Sequence, residues 1–187
     1  MKLILIRHGQ TEWNATGRWQ GQADPPLNAV GREQAQRTAQ ELQTQQIEVL
    51  ISSDLKRARE TAEIIAAAFK MEVQLDPRLR EINLGDWQGL YSTEIRARWP
   101  QEMEEWHDAP LSVRPPHGET IAELADRVLQ AVEDIAQHYP QQRMGIVAHE
   151  LPIAVITTHA AGIPLAQLRQ HMPPNAAWRE VEWPVTP

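Results

Sequence analysis

Two histidines and two arginines stand where short apolar segments give way to polar ones. Arg7 and His8 directly follow one such segment, His149 follows another, and Arg57 lies near the start of a predicted helix. Guanidinium groups pair bidentately with phosphate oxygens, and backbone N–H groups at a helix start add further donors. These residue types predict a site for a phosphate-like anion. Because the chain has no cysteine, any covalent chemistry would use His, Ser, Thr or a carboxylate.

Apolar runs predict the strands that must position these side chains. Continuous runs at 3–6, 49–51 and 145–148 are typical of strands buried on both faces, and the alternation at 73–75 predicts a shorter strand. Residues 177–183 predict a last edge strand. Strands that alternate with helices form a parallel sheet between helix layers and bind ligands at the strand carboxyl ends. We therefore expect an α/β fold, a three-layer α/β/α sandwich with a mostly parallel central sheet.

Capping residues predict where the helices between these strands begin. Val30 belongs to the predicted apolar face of the first of these helices, and the helix after Thr120 has the clearest apolar stripe. The segment from residue 79 to 89 has no clear period and predicts a loop. Pro152 suits the first turn of the last helix. The predicted caps are Asn28, the pair Ser53 and Asp54, and a capping box of Thr120 with Glu123.

The composition favours a single domain over residues 1–187. A chain of 187 residues with 42% apolar side chains is long enough to bury a sizeable core. Its formal net charge of −7, without a Lys and Arg cluster, argues against a nucleic-acid partner. The early apolar stretch is too short for a membrane span or a signal peptide, so we expect no membrane partner and a cytoplasmic location.

Residues 88–118 stand apart from the alternating pattern. They hold two tryptophans, a proline cluster, and three arginines with no lysine against five acidic residues. We expect them to form a short insertion, a lid over the carboxyl ends of the strands.

Five blocks of sequence resemble the histidine phosphatase superfamily, the phosphoglycerate-mutase-like proteins. The block RHGQTEWN at 7–14 is similar to the family's signature, and the segment at 52–62 is similar to its second arginine motif. The block LREINLGDW at 79–87 resembles the acid motif, and GET at 118–120 and VAH at 147–149 match the remaining blocks in the family's order. The resemblance covers nearly the whole chain and implies this family's fold and chemistry.

The resemblance implies a phosphohistidine mechanism. It makes His8 the nucleophile and implies that Arg7, Arg57 and His149 hold the phosphoryl oxygens. A neutral imidazole is a fair nucleophile near neutral pH, and fixed cations stabilise the charge on the transferring phosphoryl group. No cofactor and no metal are implied, and the other histidines have no partners at metal-ligand spacing.

The same resemblance assigns the acid and the neutral phosphate-binding groups. Glu81 would protonate the leaving alkoxide and then deprotonate the attacking water, although Glu12 and Glu150 remain alternatives for this role. By similarity, the neutral groups that line the phosphate pocket are Asn14, Gln20 and Gly21.

Two positions depart from the family's pattern. Glu150 stands where members commonly have glycine, and His117 opens a block that is commonly Gly-Gly-Glu-Ser. We expect both to place larger side chains near the pocket, and Glu150 to disfavour an acidic substrate tail unless it points away. Candidate pocket walls are Trp13, Arg18, Trp19, Gln22, Trp87, Trp99 and Trp106.

These features favour a phosphomonoesterase of the histidine acid phosphatase type that acts on a small phosphorylated metabolite. A phosphoglycerate mutase is the alternative, but the insertion is acidic and short of the basic residues that would grip a second anionic group. A protein phosphohistidine phosphatase is less favoured because the insertion would cover the pocket. An inactive binding module is less favoured because the set of reactive residues is complete. The substrate and the oligomeric state remain open.

Overall fold

A computed structural model describes residues 1–184 and contains a five-stranded sheet in the order β3-β2-β4-β1-β5. The first four strands pair in parallel, and β5 runs antiparallel to β1 at the edge. This confirms the predicted α/β sandwich with a mostly parallel sheet. Residues 185–187, the end of the predicted domain, lie outside the described residues. The strands are β1 Lys2–Arg7, β2 Val49–Ser52, β3 Val73–Leu75, β4 Met144–Ala148 and β5 Trp178–Glu182.

Helices connect the strands and cover both faces of the sheet. Side chains of alternate strand residues point to opposite faces, so Ile4 and Ile6 pack with α2 and α3, while Leu3 and Leu5 pack with α6 and α7. The helices are α1 Glu12–Thr16, α2 Ala29–Glu41, α3 Lys56–Phe69, α4 Ser92–Arg98, α5 Pro100–Asp108, α6 Ile121–His138 and α7 Glu150–Ala160. Short 3₁₀ helices cover Leu42–Gln45, Pro77–Leu79, Gly85–Trp87, Pro110–Ser112 and Leu165–His171.

Two of the three predicted helix caps are present. The side chain of Asn28 accepts from Gly31 N at 2.8 Å at the start of α2, and Thr120 forms the capping box of α6 with Glu123. Pro152 lies in the first turn of α7 as predicted.

The predicted capping pair before α3 is wrong. Leu55 is the N-cap of α3 and makes no side-chain cap bond, and Lys56 N donates instead to Asp24 Oδ1 at 2.7 Å. Asp54 turns to an ion pair with Arg80. A carboxylate from a distant loop thus satisfies the first N–H group of α3 and frees Ser53 for a different contact.

The predicted apolar face of α2 is wrong at one residue. Val30 is 48% exposed, while Gly31, Ala35 and Ala39 are buried. A Cβ atom on Gly31 would lie 2.1 Å from the carbonyl oxygen of Gln10, so this glycine lets the helix approach the loop after β1 closely. That close approach, rather than the size of Val30, sets which face of α2 is buried.

The segment at 79–89 is largely irregular as predicted, although 3₁₀ turns lie at its start and within it. The segment at 88–118 contains two helices, α4 and α5, which its mixed composition did not predict. Within residues 1–184, no single helix is long and apolar enough to cross a membrane. Helix α7 and the 3₁₀ helix Leu165–His171 reach that length and composition only together, and they are bent by 118°.

Candidate active site

His8 follows β1 at the carboxyl end of the sheet and is only 3% exposed. Its Nδ1 lies 2.6 Å from the carbonyl oxygen of Gly9, and the Nε of Arg57 lies 3.3 Å from its Nε2. A carbonyl can only accept, so Nδ1 carries the proton and Nε2 presents a lone pair. Since His8 lines a cavity, this neutral imidazole can attack a ligand bound there.

Burial lowers the pKa of His8 well below its usual value, and the positive charges of Arg57 and Arg7 lower it further. The hydrogen bond to the Gly9 carbonyl raises the pKa of His8, but its effect is smaller than that of burial and of the two arginine charges. His8 is therefore neutral at neutral pH, and its nucleophilic form does not depend on a base.

The backbone around His8 is held from several sides. Gly9 N donates to the hydroxyl of Thr61 at 3.0 Å, and the Nδ2 group of Asn175 donates to the His8 carbonyl at 3.2 Å. The backbone N–H of Ala176 reaches the same carbonyl at 3.0 Å. Asn175 also donates to Asn14 Oδ1 at 3.3 Å. Sequence reasoning did not find Asn175, because no motif surrounds it and its partners lie more than 150 residues away.

Arg57 lies in the first turn of α3 and is almost fully buried. Its two terminal nitrogens donate to the carbonyls of Ala23 and Gly21, each at 2.7 Å. Burial lowers the pKa of Arg57 to about 10, so the group remains cationic at neutral pH. These bonds fix the guanidinium group with its Nε aimed at His8.

Arg7 is the second buried cation at this site. Its Nη1 donates to the carboxylate of Glu150 and to the carbonyl of Pro173, each at 2.5 Å. Its Nε is buried without a hydrogen-bond partner in the described part of the chain. Arg7 therefore still has a donor for an incoming anion.

His149 follows β4 and is fully buried beside His8, with 5.1 Å between the ring centroids. Its Nε2 lies 2.8 Å from the hydroxyl of Ser53, while within residues 1–184 its Nδ1 is buried without a partner. Burial and the neighbouring charge of Arg57 hold its pKa well below the usual value. Among the described residues His149 lies behind the cavity wall, so it would reach a bound group next to His8 only through Nδ1.

Glu81 lies in the irregular segment after β3 and lines the cavity half-buried. Its carboxylate accepts from Ile82 N at 2.9 Å and from Leu151 N at 3.4 Å. Burial raises the pKa of Glu81, and the negative charge of Glu150 raises it further. The hydrogen bond from Ile82 N and the positive charges of Arg57 and Arg7 lower this pKa but do not cancel the rise. The carboxyl group can thus hold a proton at mildly acidic pH, as a general acid requires.

Arg127 in α6 fixes the segment that carries Glu81. It donates to the Glu81 carbonyl at 2.8 Å and to the carbonyls of Arg78 and Arg80, each at 2.7 Å. Its guanidinium is paired with Glu119 at 2.5 Å. Sequence reasoning missed this role because Arg127 sits on an amphipathic helix, where an arginine usually marks the solvent face.

Asn14, Gln20 and Gly21, the predicted neutral phosphate-binding groups, all line the cavity. The amide oxygen of Asn14 accepts from the backbone N–H of Thr11 at 3.1 Å, and that of Gln20 accepts from the Thr11 hydroxyl at 2.9 Å. With both oxygens bound to Thr11, the NH₂ groups are the ones left to meet a ligand.

The cavity has a volume of about 480 Å³, which suits a small molecule. Of the predicted wall residues, Trp13, Arg18, Trp19 and Trp106 line it; Gln22, Trp87 and Trp99 are not among the described wall residues. Trp87 is fully buried and packs edge-on against Trp19 and Trp106, with ring centroids 5.8 and 5.6 Å apart. It supports the wall from behind.

The two departures from the family pattern have different outcomes. Glu150 lines the cavity and points at Arg7. The expectation that His117 lies near the pocket is wrong, because its side chain is 84% exposed beside Asp86. A backbone φ of 59° turns it outward.

Glu12, an alternative acid, is exposed and is not among the described wall residues. Within residues 1–184, no three His, Cys, Asp or Glu side chains lie close enough together to hold a metal ion.

The chain is similar in sequence to a known protein family and to individual known proteins. Residues 3–185 match the family described as the histidine phosphatase superfamily (branch 1). The chain is 34% identical over 178 residues to phosphoserine phosphatase 1 of Hydrogenobacter thermophilus, covering 95% of this chain and 84% of that protein. It is 40% identical over 168 residues to a probable phosphoglycerate mutase of Serratia proteamaculans, covering 88% and 76%.

A solved structure extends the likeness to three dimensions. The mycobacterial glucosyl-3-phosphoglycerate phosphatase in complex with VO₃ superposes with a TM-score of 0.87 at 33% identity. The match covers 96% of this chain and 90% of that chain. The names of these relatives thus include two phosphatases and one probable mutase.

Proposed function

Because the chain belongs to the histidine phosphatase superfamily (branch 1), we propose that it is a phosphomonoesterase that hydrolyses a small phosphorylated metabolite through a phosphohistidine on His8. One observation carries the proposal. The proton of His8 is held on Nδ1 by the Gly9 carbonyl, so Nε2 presents its lone pair at a cavity wall next to two buried arginines, with only a long bond from Arg57 Nε to give up.

In the first step, His8 Nε2 attacks phosphorus, and the bond from phosphorus to the ester oxygen breaks. Arg57 gives up its bond to Nε2 and donates to the phosphoryl oxygens, as does Arg7 through its unpartnered Nε. Glu81 transfers its proton to the leaving oxygen, so that a neutral alcohol departs.

In the second step, a water molecule attacks phosphorus, and the bond from phosphorus to nitrogen breaks. Glu81, now ionised, takes a proton from this water, which restores the acid for the next cycle. Inorganic phosphate leaves, and His8 returns to the neutral tautomer set by the Gly9 carbonyl. Neutral His149 would donate from Nδ1 to a phosphoryl oxygen if its Nε2 accepts from the Ser53 hydroxyl.

We also propose that the enzyme is of the histidine acid phosphatase type. The lowered pKa of His8 extends the neutral form of the nucleophile to lower pH, and the raised pKa of Glu81 extends the protonated form of the acid to higher pH. Both shifts have burial as their largest cause, so they follow from the depth of the site and favour activity below neutral pH.

A phosphoglycerate mutase remains the second candidate because one relative carries that name as probable. A mutase must bind a second anionic group and return the phosphoryl group to its substrate. Segment 88–118, which we propose acts as a lid, offers only Arg96, Arg98 and Arg114. Arg114 is paired with Glu123 at 2.6 Å, and both other arginines are exposed on α4. This charge pattern favours transfer to water.

Trapping the covalent intermediate tests the proposal. Enzyme quenched during turnover of a labelled alkyl phosphate should carry acid-labile, base-stable label on the peptide that contains His8. His8→Ala should fold with an unchanged circular dichroism spectrum and lose both label and turnover. His138→Ala, which removes an exposed histidine that is not among the described wall residues of the cavity, is the matched control and should keep both. Label on a serine or carboxylate would overturn the assignment.

A second assay separates hydrolysis from isomer exchange. With 3-phosphoglycerate, phosphate release should exceed formation of the 2-phospho isomer, whether or not a bisphosphoglycerate primer is present. Isomer formation faster than phosphate release would favour the mutase instead.

A further inference from the structure

Resting on the proposed function, we propose that the cavity selects phosphate monoesters whose alcohol portion is uncharged and apolar or aromatic. We further infer that Glu150 rejects esters that carry a second anionic group.

Away from the phosphate-binding groups, much of the cavity wall is apolar. Trp19 and Trp106 lie 6.1 Å apart between ring centroids and belong to a three-tryptophan cluster with Trp87. Met103 in α5 and Met172 after the last 3₁₀ helix line the same cavity. Rigid indoles and flexible thioethers together suit an apolar ligand of variable shape, because burying its surface needs no polar partner.

Two arginines line the same cavity, and the guanidinium group of each already donates to a backbone carbonyl of the wall. Arg18 donates to the Gly89 carbonyl at 2.6 Å, and its guanidinium lies 4.6 Å from the ring centre of Tyr91. Arg169 donates to the carbonyls of Trp106 and His107 at the end of α5. Both arginines therefore tie wall segments together. Turning either guanidinium group toward a carboxylate or a second phosphate would come at the expense of these bonds to the wall.

Glu150 adds negative charge at the phosphate end of the cavity. Its side chain is 35% exposed, lines the cavity and lies 2.5 Å from Arg7. Its charge also contributes to the raised pKa of Glu81, so the two carboxyl groups interact electrostatically. A substrate phosphate can share Arg7 with Glu150, but a second anionic group in the same cavity would be repelled by this carboxylate, while the wall arginines Arg18 and Arg169 are held by backbone carbonyls.

Three esters with alkyl leaving groups of similar basicity test the inference: 3-phenylpropyl phosphate, 3-hydroxypropyl phosphate and 4-phosphooxybutyrate. Values of kcat/KM should fall in that order. We expect the phenyl ester to exceed the hydroxyl ester roughly 10- to 100-fold, from burial of the ring. The carboxylate ester should be slower again by roughly tenfold or more.

Glu150→Gln tests the rejection of acidic esters. Removing the charge also changes the pKa of Glu81, which affects both esters. The readout is therefore the ratio of kcat/KM for the carboxylate ester to kcat/KM for the phenyl ester. A change in the acid strength of Glu81 is common to both values and cancels in this ratio. The ratio should rise roughly tenfold. Glu104→Gln, which removes a charge on the exposed side of α5, is the matched control and should leave the ratio unchanged.

Trp106→Ala tests the apolar wall. It should lower kcat/KM for the phenyl ester by roughly tenfold or more and change the hydroxyl ester by less than about threefold. If the alanine variant fails to fold, Trp106→Phe, which keeps most of the packing, should show a smaller loss in the same direction.

The outcomes separate the two proposals. Hydrolysis of all three esters at similar kcat/KM, or preference for the carboxylate ester, would overturn this inference and leave the phosphatase proposal standing. Failure to hydrolyse any of the three esters or an aryl phosphate would overturn the proposed function and this inference with it.

Discussion

The hydroxyl of Ser53 lies 2.8 Å from Nε2 of His149, and both groups are fully buried. Ser53 also accepts from Leu55 N at 3.3 Å, which leaves its own proton free for the imidazole. A neutral His149 that accepts at Nε2 carries its proton on Nδ1, the nitrogen that has no partner in the described part of the chain. We propose that the Ser53 hydroxyl donates to Nε2 and so sets the tautomer in which His149 can donate to a bound phosphoryl oxygen.

Ser53→Ala should lower kcat roughly tenfold, with a smaller effect on KM. A loss of this size corresponds to the contribution of one hydrogen bond to a charged group. The tautomer matters only while the phosphoryl group transfers, so the loss should persist across pH. Steady-state kinetics at several pH values would check this. Ser52→Ala is the matched control, since the Ser52 hydroxyl bonds only its neighbour's carbonyl. Equal losses in both variants would instead indicate a packing effect.

Glu81→Gln should slow turnover of alkyl phosphates by roughly 10²- to 10⁴-fold, the usual contribution of a positioned acid. Aryl phosphates should lose much less, because their leaving groups are weak bases that need little protonation. Rates for a series of esters with graded leaving-group basicity would show a steeper dependence in the variant. Glu12→Gln should change neither slope nor rate, since Glu12 is exposed. An equal loss for alkyl and aryl esters would contradict the role of Glu81 as the acid.

The dependence of the rate on pH should have limbs on both sides. As the pH falls through the lowered pKa of His8, the nucleophile becomes protonated and the rate falls. As the pH rises through the raised pKa of Glu81, the acid loses its proton and the rate falls again. Profiles of kcat/KM for an alkyl phosphate between about pH 3 and pH 9 would measure both limbs, because kcat/KM reports the acid and base of the free enzyme.

Glu150→Gln supplies the control for this profile. Glu150 raises the pKa of Glu81, so its neutralisation should move the basic limb to lower pH and leave the acidic limb in place. Ionisation of the substrate phosphate is common to both enzymes and cancels in the comparison. A basic limb that stays fixed would show that Glu81 does not produce it.

The fold and most of the proposed site could be predicted from the sequence because both depend on local patterns. Buried parallel strands are continuous apolar runs, and reactive residues at their carboxyl ends share one edge of the sheet. His8 and His149 come together for this reason, although they lie 141 positions apart in the chain.

Contacts without a local pattern could not be predicted. Ser53 resembles a helix cap in sequence, yet a carboxylate from the loop at Asp24 satisfies α3 and Ser53 contacts His149 instead. Arg127 and Asn175 act on backbone carbonyls of distant segments, and neither spacing nor hydropathy marks such partners. Tertiary context decides these contacts, so they emerge only from the folded chain.

Gly31→Ala should destabilise the protein although it adds a good helix former to α2. Helix propensity alone would raise the free energy of unfolding by about 1 kcal/mol. A Cβ here would lie 2.1 Å from the Gln10 carbonyl, and one on Gly9 would lie 2.3 Å from the Gly31 carbonyl. The two backbones therefore leave no space for a methyl group between them, and they would have to separate and move His8 to accept one. Overpacking of this kind costs about 1–3 kcal/mol, so we expect a net loss of stability, measured by urea unfolding, together with a lower kcat at temperatures where the variant is folded. Gly162→Ala is the control: its Cβ would meet nothing within 4 Å and it is not among the described wall residues of the cavity, so only its backbone φ of 65° should cost stability, and kcat should not change. A stabilised Gly31→Ala variant with full activity would show that the contact between α2 and the loop after β1 does not hold His8 in place.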